Sequence, residues 1–200
     1  MLSKYEISNS NFHKYYNVAL IERIFACKGF MECEFATPCG AVVIVNHHTT
    51  AGGPEKCREQ ELEQSNILLQ QHLADGKIVF MAGDINAGPS LSKSNFDYLL
   101  SRGWVDSWLE ANDCEGFTWD NKNVLNSSNV HASSPSCRVD HIMPHKNCAV
   151  RVLSASLEFT KSDVETEIGS TTASDHYGVV VWFEICGIES PSSAIPQPGA

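Results

Sequence analysis

The sequence has no CxxC pair among its eight cysteines, no apolar stretch long enough for a bilayer, and few basic residues. Each absence excludes something. Without CxxC spacing, zinc-ribbon and thioredoxin-like sites are poor readings. A membrane-crossing helix needs roughly 18 apolar residues. The strongly apolar runs here are short, such as Ala41 to Val45 and Gly178 to Phe183. Lys and Arg number 14 against 24 Asp and Glu, for a formal net charge of -10. That balance argues against a non-specific grip on nucleic acid, which depends on neutralising phosphates. A bound divalent metal or a local basic patch could still reverse the field at one site. Met1 is followed by Leu-Ser-Lys-Tyr-Glu-Ile, with neither a basic nor an apolar signal region, so no signal peptide is read there and the compartment stays open.

What is present describes an ordinary folded chain. Hydrophobic residues make up 42% and charged residues 19% of the 200 positions, which suits one domain with a sizeable core. The even cysteine count permits disulfides, but a chain of this size does not need them. Reduced, buried thiols are expected, with one or two bridges as the alternative.

The β-branched run Ala41 to Asn46 (AVVIVN) predicts a buried strand, followed by the turn signal Ala51-Gly52-Gly53-Pro54. Glu55 to Ala74, with Leu62, Leu69 and Leu73 on roughly one face, predicts a helix stopped by Asp75-Gly76. Ile78 to Ala82 (IVFMA) predicts a second strand, completing an α/β unit. Ser92 to Arg102 predicts a helix with Phe96, Leu99 and Leu100 on its apolar side. Asp113 to Ser136 is polar and reads as a long surface loop carrying Phe117 and Trp119. Val139 to Met143 and Val150 to Leu157 predict strands, Thr160 to Ala173 a loop, and Tyr177 to Ile185 the last strand. The expected organisation is one α/β sandwich domain over residues 1–186 and a flexible Ser/Pro-rich tail over 187–200.

Four polar clusters fall at predicted strand ends: Asn46-His47-His48, Gly83-Asp84-Ile85-Asn86, Arg138-Val139-Asp140-His141-Ile142 and Ser174-Asp175-His176. Binding residues of α/β folds concentrate there. Alone, an Asp after a strand is most often a turn or cap residue, and a single His is more often packed than catalytic. Together, and in this order, the clusters form a specific pattern.

That pattern resembles the endonuclease/exonuclease/phosphatase superfamily, which includes deoxyribonuclease I, abasic-site endonucleases, inositol phosphatases and neutral sphingomyelinases. The resemblance runs from about Leu2 to Ile185 and is strongest in VNHHTTAGG, FMAGDINAGP, RVDHI and ASDHYGVVV. LSKYEI resembles the family's "LSRYPI" strand, FACKGF a Lys-Gly segment before a strand, and GFTWDNKN the Thr-Trp-Asp…Asn loop of sphingomyelinase-like members. The last two tilt the resemblance towards the neutral sphingomyelinase-like branch. It implies a four-layered α/β sandwich of the deoxyribonuclease I-like type, lacking its first strands.

The resemblance also implies roles. The family's reaction is Mg²⁺-assisted hydrolysis of a phosphate ester by an activated water; another divalent cation could serve. His176 would be the general base and Asp140 would hold its tautomer. Asp84 would orient the water or touch metal, and Asp175 would be a metal ligand. Asn86 would donate to a phosphoryl oxygen without carrying charge, and His48 would contact the phosphate or the leaving oxygen. Asn46 and Lys28 are candidate substrate contacts, although Lys28 could equally sit on a solvated face. His47 and His141 should point the opposite way along their strands, since side chains alternate faces. Trp119 could touch substrate or be a buried anchor, and Arg138 could pair with phosphate or with an acidic loop. Asp106 and Trp108 read as structural.

Two family features have no counterpart: an Asn-bearing strand and a strand ending in the metal-binding Glu, both upstream of the "LSRYPI"-like segment. Glu6, Glu22, Glu32 and Glu34 fall outside that motif. An N-terminally truncated domain is therefore expected, less stable than a full-length relative and weakly active or inactive alone. The expected function is a Mg²⁺-dependent, sphingomyelinase-like phosphodiesterase acting as a monomer, its substrate a membrane phospholipid. The alternatives are a DNA endonuclease or exonuclease of the same superfamily, and an inactive remnant or binding module.

Overall fold

The computed structural model describes residues 1–127, 133–167 and 169–185. Its centre is a five-stranded sheet of β1 (Ile7–Lys14), β2 (Gly29–Thr37), β3 (Gly40–His48), β4 (Ile78–Asp84) and β5 (Asp140–Pro144), in that spatial order. Only the β3–β4 pair is parallel. The two are joined through α2 (Glu55–Ala74), as parallel neighbours require a long crossover. The remaining helices are α1 (Leu20–Phe25), α3 (Lys93–Ser101), α4 (Ser107–Ala111) and α5 (Val124–Ser127).

Strand alternation sorts the core into two. Val43 and Val45 of β3 and Val79 and Met81 of β4 meet Leu62 and Leu69 of α2 and Phe96 and Leu99 of α3 on one face. Val42, Ile78 and Phe80 point the other way, onto Val150, Phe183 and Ile185. Those three belong to an antiparallel ribbon of β6 (Val150–Glu158) and β9 (Gly178–Ile185). Helices, sheet and second sheet thus stack as the expected α/β sandwich.

Several elements differ from the sequence reading. The expected strand at Leu2 does not form; the strand begins at Ile7, because the Ser3 hydroxyl takes the Tyr5 N–H (3.0 Å) and turns the chain. β1 and β2 carry no long aliphatic run, and most of β1 is exposed as the sheet edge, so neither shows a strong local signal. The expected loop from Thr160 to Ala173 contains a small hairpin, β7 (Val164–Thr166) with β8 (Gly169–Thr171), closed by Thr166 Oγ1 on the Gly169 carbonyl (2.5 Å). Strands of three mostly exposed residues have no apolar period to read. The polar stretch from Asp113 to Ser136 holds α5, and Trp119 is a buried anchor packed with Cys137 and Val139. The proposed tail lies outside the described residues.

Among the described residues no helix is long and apolar enough to cross a membrane. The seven described cysteines are free thiols; Cys33 and Cys137 are buried, Cys27 and Cys114 exposed. Of these seven, Cys27 and Cys114 are expected to react first with a thiol reagent in the native protein, and Cys33 and Cys137 only on unfolding. Rapid native labelling of Cys137, located by peptide mapping, would contradict the packing around Trp119.

Candidate active site

The sheet register builds the site. His48 on β3 is paired with Asp84 on β4, and Asp84 with Asp140 on β5, so three polar side chains form one row across adjacent strands. All three lie in the alternation that faces the β6–β9 ribbon. His176 comes from the segment just before β9. Its Nδ1 donates to Asp140 Oδ2 at 2.7 Å, and His48 Nε2 stands 3.7 Å from Asp84 Oδ2.

Local sequence explains how the row ends. Gly83 has φ +110, and a Cβ there would collide with the His47 backbone, so only glycine fits. Asn86 is left-handed (φ 46), a conformation Asn tolerates, and its N–H donates to Asp84 Oδ1 at 2.9 Å. One Asn86 side-chain N–H is held by the Thr49 carbonyl at 3.2 Å. Asn46, two residues before His48 on the same face, is exposed, with its Oδ1 over Gly83.

The electrostatics are those of crowded carboxylates. Burial raises the Asp84 carboxyl above its ordinary range, and the neighbouring Asp140 charge adds to that. For His176, burial alone would lower the pKa. The hydrogen bond to Asp140, with the charges of Asp140, Asp84 and Asp175, overcomes burial and lifts it to about 9. One ligand atom each from Asp84, Asp140 and His176 lies within 4.8 Å of the others. A divalent cation fits beside the Asp84 and Asp140 carboxylates, because it would relieve the repulsion between them; His176 Nδ1, which donates to Asp140, is not free to ligate.

The remaining predicted residues are less central. Asp175 sits on the exposed rim, its Oδ1 3.3 Å from Ser174 Oγ, outside the three-residue cluster. Lys28 is turned inward: its Nζ donates to the Thr49 carbonyl (2.8 Å) and pairs with Glu22 (3.1 Å). It thereby holds the β3–α2 loop, sharing Thr49 with Asn86. His47 and His141 point to the opposite, helix-covered face. Burial drives His47 down to about 3, so it is neutral beneath the Tyr15 hydroxyl (2.8 Å). His141 donates from Nε2 to the Ala87 carbonyl (2.9 Å), and its Nδ1 sits beside Arg138 Nη1 (2.9 Å) and Asp106 Oδ2 (3.6 Å). Arg138 is buried against Asp106 (2.7 Å), not turned to a substrate.

Sequence reading gives no individual role to Thr118, Asn123 or Asn126, although the first two lie in the GFTWDNKN segment. All three are buried beside the His176 segment, in a stretch whose polarity reads as a solvated loop. The FTWD…N spacing was the available signal.

Residues 1–176 match the model of the Endonuclease/Exonuclease/phosphatase family. No curated protein sequence matches the chain. Among solved structures, sphingomyelinase C from Streptomyces griseocarneus superposes with a TM-score of 0.64 at 15% identity, over 90% of this chain and 65% of that one. TDP2 of D. rerio, complexed with single strand DNA product, gives 0.67 at 18% identity over 90% and 68%. Beta toxin from Staphylococcus aureus gives 0.69 at 16% identity over 90% and 65%. The chain therefore spans about two thirds of the length of these proteins. At such identities the likeness shows the fold, that of the deoxyribonuclease I-like α/β sandwich.

Proposed function

The chain belongs to the Endonuclease/Exonuclease/phosphatase family, and from that premise we propose that it is a Mg²⁺-dependent, sphingomyelinase-like phosphodiesterase with His176 as general base. The observation that carries this reading is the 2.7 Å bond between His176 Nδ1 and Asp140 Oδ2, in the same row as Asp84 and His48.

Donation from Nδ1 to Asp140 fixes the tautomer that leaves Nε2 free to take a proton from water. Asp84 orients that water and, with Asp175 on the rim, supplies the hard carboxylate oxygens Mg²⁺ prefers. Mg²⁺, when bound, supplies positive charge for the phosphoryl and leaving oxygens. Asn86 has one side-chain N–H left for a phosphoryl oxygen after bonding Thr49. His48 and Asn46, exposed on the same face, contact the phosphate and the leaving side of the ester. Lys28 serves the site indirectly, by holding Thr49.

A base must be deprotonated to act, so the rate should rise with pH through the pKa of His176. Without a cation that pKa is about 9, held up chiefly by Asp140 against the lowering effect of burial. In Asp140→Asn the limb of the pH–rate profile should therefore move to lower pH while the plateau falls. A limb in the same place, measured at one fixed Mg²⁺ concentration, would remove His176 and Asp140 from these roles.

The sphingomyelinase-like assignment leans on the FTWD segment and on the likeness to sphingomyelinase C. A DNA-directed reading is supported by the comparable likeness to TDP2 with its single strand DNA product, and weakened by the net charge of -10. Sphingomyelin vesicles, single-stranded and plasmid DNA, and an inositol polyphosphate, each offered in Mg²⁺ with a chelator control, separate the readings. Weak, chelator-sensitive sphingomyelin cleavage is the expected result. Cleavage of DNA alone would select the nuclease, and cleavage of nothing a binding module.

A further inference from the structure

The segment Thr118 to Asn126 has no role in the mechanism above, yet it is the support on which the His176–Asp140 pair rests. Thr118 is fully buried. Its Oγ1 accepts from the Val139 N–H (3.1 Å) and from the Asp140 N–H (3.2 Å). Its carbonyl accepts from the Tyr177 N–H, next to His176, at 2.7 Å. One residue therefore holds the backbone of both members of the pair.

Two asparagines hold the other side of His176. Asn123 Nδ2 donates to the Ser174 carbonyl at 2.9 Å, and Asn123 Oδ1 accepts from Thr172 Oγ1 at 2.7 Å. Asn126 Nδ2 donates to the carbonyls of Asp120 and Asp175, each at 2.9 Å. Two carbonyl acceptors fix which way the Asn126 amide points. Next to them, Trp119 exchanges backbone bonds with Cys137 (3.0 and 2.9 Å) and bridges to His176. Burying three polar side chains is costly unless they are bonded, and here each bonds the backbone beside His176 or Asp140, with Asn126 Oδ1 alone left without a partner.

We propose that Thr118, Asn123 and Asn126 are positioning residues that set the distance and orientation between His176 and Asp140. They act through the backbone at Asp140, Ser174, Asp175 and Tyr177, without touching substrate. The inference rests on His176 and Asp140 working as a pair, as proposed above. A misplacement of about 1 Å at a reacting group can cost about 100-fold in rate, so the clamp matters even though none of its members reacts.

Thr118→Val keeps the side-chain shape and removes the hydroxyl; Thr118→Ser keeps the hydroxyl. In Thr118→Val, kcat should fall by about 100-fold with little change in KM. Amide exchange at Val139 and Asp140, whose N–H groups lose the Thr118 Oγ1 acceptor, should accelerate by roughly fivefold or more, with β3 and β4 amides unchanged. The low-field proton resonance of His176 Nδ1–H, which reports its bond to Asp140, should shift or vanish. Thr118→Ser should restore all three. Asn126→Ala should lower kcat and disturb the His176 resonance in the same way, with faster exchange at Ser174 to Tyr177 instead, since it frees the Asp175 carbonyl; it carries the test alone if Thr118→Val does not fold. Equal behaviour of Thr118→Val and Thr118→Ser, or a loosened segment with the His176 resonance and kcat unchanged, would overturn the proposal. The exchange and resonance measurements need no substrate. A chain that hydrolyses nothing, but in which Thr118→Val alone disturbs the pair, would reject the function and leave the clamp standing.

Discussion

His176→Ala is expected to lower kcat by about 10²–10⁴-fold, the usual contribution of a positioned general base, while KM changes little. The imidazole stands at the mouth of the row, held by one 2.7 Å bond to Asp140. Alanine removes the base without leaving a buried charge on His176's own side. What it leaves is Asp140 without its donor and Asp84 with a carboxylate neighbour, so local repulsion rises. Cation affinity should persist, because the carboxylates remain. Hydrolysis of the preferred phosphodiester, assayed at saturating Mg²⁺ with isothermal titration as the control for binding, separates lost chemistry from lost metal. Undiminished turnover in His176→Ala would sink the mechanism.

The largest stability effect should come from beneath the site. Asp106→Ala is expected to destabilise the fold by about 3–5 kcal/mol, the cost of removing one partner from a buried ion pair. Arg138 has almost no exposed surface, and its Nη1 contacts both Asp106 oxygens at 3.0 and 2.7 Å. The same carboxylate caps α4, accepting from the N–H groups of Trp108 (3.0 Å) and Leu109 (3.4 Å). Denaturant melts of the variant measure the loss directly; a change under 1 kcal/mol would contradict this account. Replacing Asp106 and Arg138 together by apolar residues should recover part of the loss, since no lone charge then remains.

The pair also sets an acid limit. Burial alone would raise the Asp106 carboxyl, but His141 and Arg138 beside it hold it at about 2, below the ordinary 3.8. The folded pKa is depressed, so this stabilisation is complete above the ordinary value and disappears as pH falls through about 2. Its size is about 2 kcal/mol. Acid titration of wild type against Asp106→Asn should show the difference between the two shrinking over that window.

The local code shows clearly in the middle of the chain. AVVIV and IVFMA became β3 and β4 because β-branched runs bounded by turn signals have few other fates in water. The leucine spacing of α2 and its Asp75-Gly76 stop needed only helix geometry. The two-residue alternation placed His47 and His141 on the face opposite His48 and Asp140. Buried polar segments were opaque for the converse reason. In Thr118 to Asn126 the side chains look solvated until their partners are known, and Asn123 finds its partner 51 residues away at Ser174. Lys28 reads equally as a phosphate contact or a solvated side chain because neither Glu22 nor the Thr49 carbonyl can be placed beside it from the sequence.

What the sequence by itself determined is therefore the family pattern, the central α/β unit, and which polar residues sit at strand ends on which face. These follow from local periodicity and turn chemistry, which need only neighbours within a few residues. Tertiary structure alone decided that His48, Asp84 and Asp140 share one row, that His176 reaches Asp140, and that Arg138 is spent on Asp106. Strand order, register and the pairing of buried charge are set by contacts between distant parts of the chain, and no local period encodes them.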